Sequence, residues 1–280
     1  MNTILTVLGG VLGVVVPGLF AYALNQGVAR SPLSDAQKAA FRRTINGVTA
    51  AWTAAVWGLS LAGLISYHAG DSWPRIALPL FIPVIAAIAL MRYPAARTVI
   101  DRTPVATLAG VQAFRLAGFV FLIIPGLGLL PTAFVVGGYG DLATGLLAAV
   151  AGVLLAKRGK GASVSFALFS LVGLVDLMNV AGLLFYYYPS WSPAAPSSAA
   201  LADFSLVMVP ALAAPMALIL HLYAIKNFAL NKAGGLTEGP SAGSSLDRTL
   251  TTPGGSRPRA VQGSNTSRIL PNAQAAREVA

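Results

Sequence analysis

The sequence predicts an all-α, polytopic integral membrane protein: a seven-transmembrane-helix bundle with a disordered C-terminal tail. Three observations carry this reading. Of 280 residues 56% are apolar and only 10% charged, less than half the ~25% of charge that a soluble domain uses to cover its surface. The apolar residues gather in runs of about 20, the length that crosses a ~30 Å hydrocarbon core. The 19 Lys and Arg residues concentrate on alternate connections between those runs, as the positive-inside rule requires.

The first span is placed at residues 4–24 and the second at 45–67, each bounded by polar or charged sequence. The third, 76–91, is short and contains Pro79 and Pro83. The fourth and fifth, 105–130 and 132–156, are parted by Pro131, whose fixed φ and missing N–H suit a tight hairpin. The sixth and seventh are placed at 162–187 and 205–228. A transmembrane domain is thus expected over 1–232. Residues 233–280, rich in Gly, Ser, Thr, Pro and Asn with five scattered arginines, cannot bury enough apolar area to offset their ordering entropy and are expected to be a disordered cytoplasmic tail.

Arg30, Lys38, Arg42 and Arg43 mark the first connection, Arg92, Arg97 and Arg102 the third, and Lys157, Arg158 and Lys160 the fifth. The second carries only Arg75, while the fourth and sixth carry no basic residue. This alternation predicts an outside N-terminus and a cytoplasmic C-terminus, and the expected location is the inner membrane of a bacterium. Tyr67, Trp73, Tyr186 to Tyr188 and Trp191 fall on the poorly charged side, as an interfacial aromatic belt would. Ala21-Tyr22-Ala23 resembles a signal-peptidase site. No Lys or Arg precedes the apolar stretch, however, and cleavage would strand the basic first connection outside.

The composition also excludes. With no Cys, disulfides, cysteine metal sites and cysteine nucleophiles are ruled out. A formal charge of +10 would suggest nucleic acid in a soluble protein; here it sets orientation, and no nucleic-acid partner is expected. No phosphate loop, metal cluster or nucleotide motif is present, so no cofactor is expected. His68 and His221, the two histidines, lie toward opposite ends of their spans, too far apart by helix rise to share a haem.

The informative residues are ionisable groups at membrane depth, each costing ~2.5–3.5 kcal/mol at a helix centre and therefore needing partners in the bundle interior. Arg115, Asp141 and Asp176 lie on the fourth, fifth and sixth spans, and His221 toward the cytoplasmic end of the seventh. Gln112 stands three residues before Arg115 and Asn179 three after Asp176, on shared helix faces. One cation faces two carboxylates: if Arg115 pairs with one, the other is left to hold a proton or a cation. No internal repeat is visible, and the Gly9-x-x-x-Gly13 match offers a close-packing face.

Gly138-Tyr139-Gly140-Asp141 resembles the GxGD signature of intramembrane aspartyl proteases, and Pro210-Ala211-Leu212 their PAL element. That resemblance implies two aspartates sharing a proton to activate water. The order departs from the family, in which the partner aspartate of a Tyr-Asp pair precedes GxGD; here the preceding span offers Arg115, Asp101 belongs to a connection, and Asp176 follows. A broader pattern runs from Gln112-x-x-Arg115-x-x-Gly118 through the Pro131 hairpin, Gly138-x-Gly140-Asp141 with Gly145, and Asp176, to the Pro-rich last span with His221. It resembles a set of uncharacterised bacterial multi-span proteins and implies a polar centre without an activity. Seven spans with the N-terminus outside also resemble rhodopsins, but Lys226 lies too near the cytoplasmic end to carry retinal at mid-membrane.

The function expected is small-solute or proton-coupled transport or binding. Arg115, Asp141 and Asp176 would form the site, Gln112 and Asn179 orient it, and His221 link it to the cytoplasm. The alternatives are a structural or accessory subunit with an Arg–Asp packing lock, and a membrane-embedded enzyme such as an aspartyl protease. The lipid bilayer is the expected partner; a membrane-protein partner or a homo-oligomer is left open.

Overall fold

The computed structural model describes residues 3–235, and among them every regular element is helical. The first helix, α1, runs Thr3–Arg30 through Pro17. Helix α2, Asp35–Leu61, begins at a capping box in which the Ser34 side chain accepts from the Gln37 backbone N–H and the Gln37 side chain accepts from that of Ser34, satisfying two otherwise unpaired donors. Helix α3, Ala77–Leu90, is followed after a 99° bend by α4, Pro94–Asp101. Pro94 stands at the start of α4 and Tyr93 before it is extended, φ −88° and ψ 119°, as a residue preceding proline prefers.

Helix α5, Val105–Gly110, passes into a 3₁₀ run over Val111–Phe119, then into α6, Val120–Ile123, and a second 3₁₀ turn, Ile124–Leu127. Helices α7, Phe134–Ala156, and α8, Ala162–Tyr186, are regular. After a 3₁₀ turn at Ser198–Ala202, a π-helical turn at Val209–Ala213 leads into α9, Ala214–Gly235. The tail expected over 233–280 lies outside the described residues, except that its first three residues extend α9.

Five stretches are long and apolar enough to cross a membrane: Leu5–Arg30, Val105–Leu127, Phe134–Ala156, Ala162–Tyr186 and Val209–Asn231. The bent α3–α4 pair would make a sixth. The second expected span is not among them. Its helix starts ten residues earlier than expected, includes Asp35, Lys38, Arg42 and Arg43, and carries Asn46, Thr49, Thr53 and Ser60 further on, which dilute its hydropathy. The third lies one residue inside each expected bound, and its 14 residues give ~21 Å of rise, short of a ~30 Å core.

The outward faces are those of a protein solvated by lipid. On α8, Val164, Leu168, Leu171, Val175 and Met178 follow helical spacing and are each 48–68% exposed; such a continuous apolar stripe has no counterpart on a water-soluble helix. Inside, α9 is the most buried span and packs against α1, α3, α4, α5 and α8. Two apolar clusters fill the bundle. One joins Val120, Phe121, Ile124, Phe134, Leu184 and Met208; the other joins Leu108, Ala109, Ala148, Phe169, Leu220 and Tyr223. Arg115, Asp141 and Asp176 fall in sequence between members of the two clusters, so the buried charges lie where the apolar halves meet.

Each end has its own polar ties. The expected aromatic cluster forms beyond the end of α8: Tyr188 packs edge-on to Tyr67 and Trp191, and the Trp191 indole donates to the Ser72 carbonyl at 3.2 Å. At the opposite end Lys226 pairs with Asp101, and the Asn227 amide donates to the carbonyls of Ile100 and Thr103 at 2.7 and 2.8 Å.

Candidate functional site

The site begins with an irregular helix. Nine residues of 3₁₀ geometry around Arg115 exceed the three or four usual for such runs and mark a strained or functional segment. This run packs against α7 through glycine. A β-carbon at Gly118 would collide with the Asp141 side chain, and one at Gly145 would come within 2.7 Å of the Leu116 backbone nitrogen. Absence of a side chain at these positions lets the Arg115 backbone sit close enough to α7 for its guanidinium to reach two neighbouring helices.

Arg115 gathers the group. Its Nε donates to Asp141 Oδ1 at 2.7 Å, its Nη2 donates to Asp176 Oδ2, and its Nη1 donates to the Gly173 carbonyl at 3.1 Å. The arginine side chain is 2% exposed, Asp176 5% and Asp141 15%, so all three charges are withdrawn into the bundle. The expectation that Arg115 would satisfy one carboxylate and leave the other without a cation is corrected: a single guanidinium, with donors on three nitrogens, binds both. The charge count is unaltered, one cation to two carboxylates.

Beside this group lies a cavity of about 50 Å³ whose lining includes Arg115, Asp141 and Asp176. A water needs ~10–15 Å³ of such space, so the cavity has room for a few waters. Its opposite wall includes Val209, Ala213, Ala214 and Ala217, the π turn and first turn of α9. Two uncommon helical geometries, one 3₁₀ and one π, therefore line one cavity in which three charged side chains stand among apolar ones, and π turns are frequent at functional sites.

The remaining expected site residues are placed less centrally. The Gln112 amide nitrogen donates to the Leu108 carbonyl at 3.3 Å within its own helix, and its Oε1 is buried without a partner. Asn179 is half-buried on α8 and makes no hydrogen bond with Arg115 or either aspartate. His221 is fully buried; its Nδ1 lies 3.2 Å from the Ala217 carbonyl and its ring stacks on Phe169 with centroids 4.5 Å apart. The His221 Nε2 has no partner and faces Gly173, where a β-carbon would meet it. Thus Gly173 touches Arg115 through its carbonyl and His221 through its bare Cα. Sequence reading missed this residue; its position three before Asp176 on the same helix face was the available signal.

Both carboxyls bind the same guanidinium, whereas the aspartyl-protease chemistry would have them share a water or a proton. Among the described residues no three or more His, Asp or Glu side chains gather as a metal-binding cluster.

Among the described residues every regular element is helical, and five apolar stretches long enough to cross a bilayer, with outward apolar faces, mark a helical membrane protein. Residues 73–229 match the family described as Domain of unknown function (DUF8737), and the chain belongs to that family. The matched stretch contains Arg115, Asp141, Gly173, Asp176 and His221. No curated protein and no solved structure matches the chain.

Proposed function

We propose that the Arg115–Asp141–Asp176 group binds an exchangeable proton or small cation, and that the protein uses this site in small-solute or proton-coupled transport or binding. The observation that carries the reading is the cavity beside a group with one cation for two carboxylates. With both carboxylates ionised the group bears net negative charge, which at membrane depth calls for a compensating cation or proton. The 3₁₀ run and the π turn that flank the cavity supply backbone able to adjust as the guest enters and leaves. In this reading the chain crosses the inner membrane of a bacterium seven times, N-terminus outside, with α2 and α3 as its weakest spans, and residues 233–280 form a cytoplasmic tail.

A second reading is favoured by the three bonds that fix a 2%-exposed Arg115: the group is a packing lock in an accessory subunit. A thermal-unfolding screen against pH, Na⁺, K⁺ and small solutes separates the two. A guest at 100 times its Kd stabilises the folded state by about 2.7 kcal/mol. The site reading requires such a response in wild type and its loss in Asp141→Asn and Asp176→Asn; a wild type indifferent to every condition supports the lock.

A further inference from the structure

We infer that the furrow between α1 and α2 is a binding site for an anionic phospholipid, with an acyl chain lying in the furrow and the phosphate held at Arg42. The furrow encloses about 590 Å³, bounded on α1 by Gly13, Pro17 and Ala21 and on α2 by Asn46, Thr49 and Thr53. The two helices meet at its ends. At one, the Asn25 amide donates to Asn46 Oδ1 at 2.9 Å; at the other, the Trp57 indole sits so near Gly13 that a β-carbon there would lie 2.8 Å from its nitrogen. Between these contacts the small α1 side chains leave a gap. The Thr53 hydroxyl is satisfied by the Thr49 carbonyl at 2.9 Å, so it asks nothing of a guest. On the proposed reading in which α2 crosses the bilayer, this furrow opens to the hydrocarbon region, and such a space suits an alkyl chain.

Charge complementarity names the occupant. Arg42 precedes Asn46, Thr49 and Thr53 by four, seven and eleven residues, which puts it on the same stripe of α2 one turn past the furrow's mouth. Arg42 and Arg43 are exposed, and no carboxylate among the described residues pairs with either. The exposed Asn46 accepts from Asn25 through its oxygen, leaving its amide N–H groups for a phosphate or ester oxygen. From Arg42 to Trp57 the helix rises ~22 Å, enough to follow an acyl chain from head-group depth through one ~15 Å leaflet. A second copy of the chain is the less suitable occupant: in one bilayer both copies share an orientation, so its Arg42 and Arg43 would come to the same depth as these and repel them.

Native mass spectrometry of the full chain, released from nanodiscs of phosphatidylcholine containing increasing phosphatidylglycerol, tests this. The expected result is retention of one phosphatidylglycerol in preference to phosphatidylcholine by about tenfold or more, from two arginines near the head group. Arg42→Gln with Arg43→Gln should abolish the preference, and Ala54→Leu, which fills the furrow, should reduce retention of either lipid. Equal retention of the two lipids by wild type overturns the inference without any variant. So does a preference that survives the double substitution, or a dimer mass in place of bound lipid that Ala54→Leu removes.

Discussion

Gly140 on α7 lies so close to Asp176 on α8 that a β-carbon at position 140 would collide with the Asp176 carboxylate. The aspartate next to it in sequence, Asp141, binds the same arginine as Asp176. One dipeptide therefore sets both the spacing of two helices and one wall of the buried charge group. Gly140→Ala is expected to destabilise by about 1–3 kcal/mol, the usual cost of overpacking. Gly10→Ala, with nothing within 4 Å of the added carbon, should be neutral or stabilise slightly, since alanine suits a helix interior better than glycine. Denaturant unfolding in one detergent compares the two.

Breaking the charge group from the arginine side should cost more than removing it whole. Arg115→Met leaves two carboxyls buried with no cation, and a loss of about 3–5 kcal/mol is expected. Adding Asp141→Asn and Asp176→Asn to that variant should recover most of the loss. A triple variant no more stable than Arg115→Met would mean that packing around the guanidinium, and not its charge, holds the bundle.

Outside the spans, Asp71 ties the second connection together. Its Oδ2 accepts from the His68 backbone N–H at 2.9 Å and its Oδ1 from Arg75 Nη2 at 2.6 Å. The His68 N–H above all, with Arg75 helping and partial burial opposing, holds this carboxyl below its ordinary range. A carboxylate whose folded pKa is depressed stabilises the fold above its unfolded pKa, and that contribution disappears as pH falls through the lower folded value. Wild type should thus exceed Asp71→Asn in stability near neutral pH, and the gap should close in acid; an unfolding series across pH reads it directly.

Because the chain contains no Cys, single cysteines report sidedness without background. Cysteines at exposed Ala36 and Lys160 should react with an impermeant reagent from one face of the membrane, and those at exposed Ala69 and Thr132 from the other. Labelling of Ala36→Cys and Ala69→Cys from the same face would show that α2 does not cross, reducing the span count.

The long apolar helices were legible because α7, α8 and the Val209–Asn231 stretch are apolar runs carrying a single Asp or Lys each, which water would not tolerate. Convergence of Arg115, Asp141 and Asp176 was legible for a related reason: few ionisable groups lie at depth, and each must find another. The 3₁₀ geometry around Arg115 left no mark in composition, since Val111–Phe119 has the make-up of an ordinary helix, and its close packing on Gly145 of α7 is a tertiary contact. Helical spacing put Gln112 beside Arg115, yet the amide nitrogen donates one turn back to the Leu108 carbonyl, while the Arg115 donors go to the two aspartates and the Gly173 carbonyl. The limits of α2 were misjudged because Asp35 through Arg43 are polar but helix-forming, so the helix begins well before its apolar part.

On the proposed reading the charge group holds a proton or cation that comes and goes. Difference infrared spectroscopy of the carboxyl region, on protein in lipid across pH with and without Na⁺ or K⁺, tests it most directly. The expected result is a protonated-carboxyl band that changes with pH or is displaced by one cation, and that disappears in Asp141→Asn or Asp176→Asn. A carboxyl signal unchanged by pH and by either cation, identical in wild type and both variants, would contradict it.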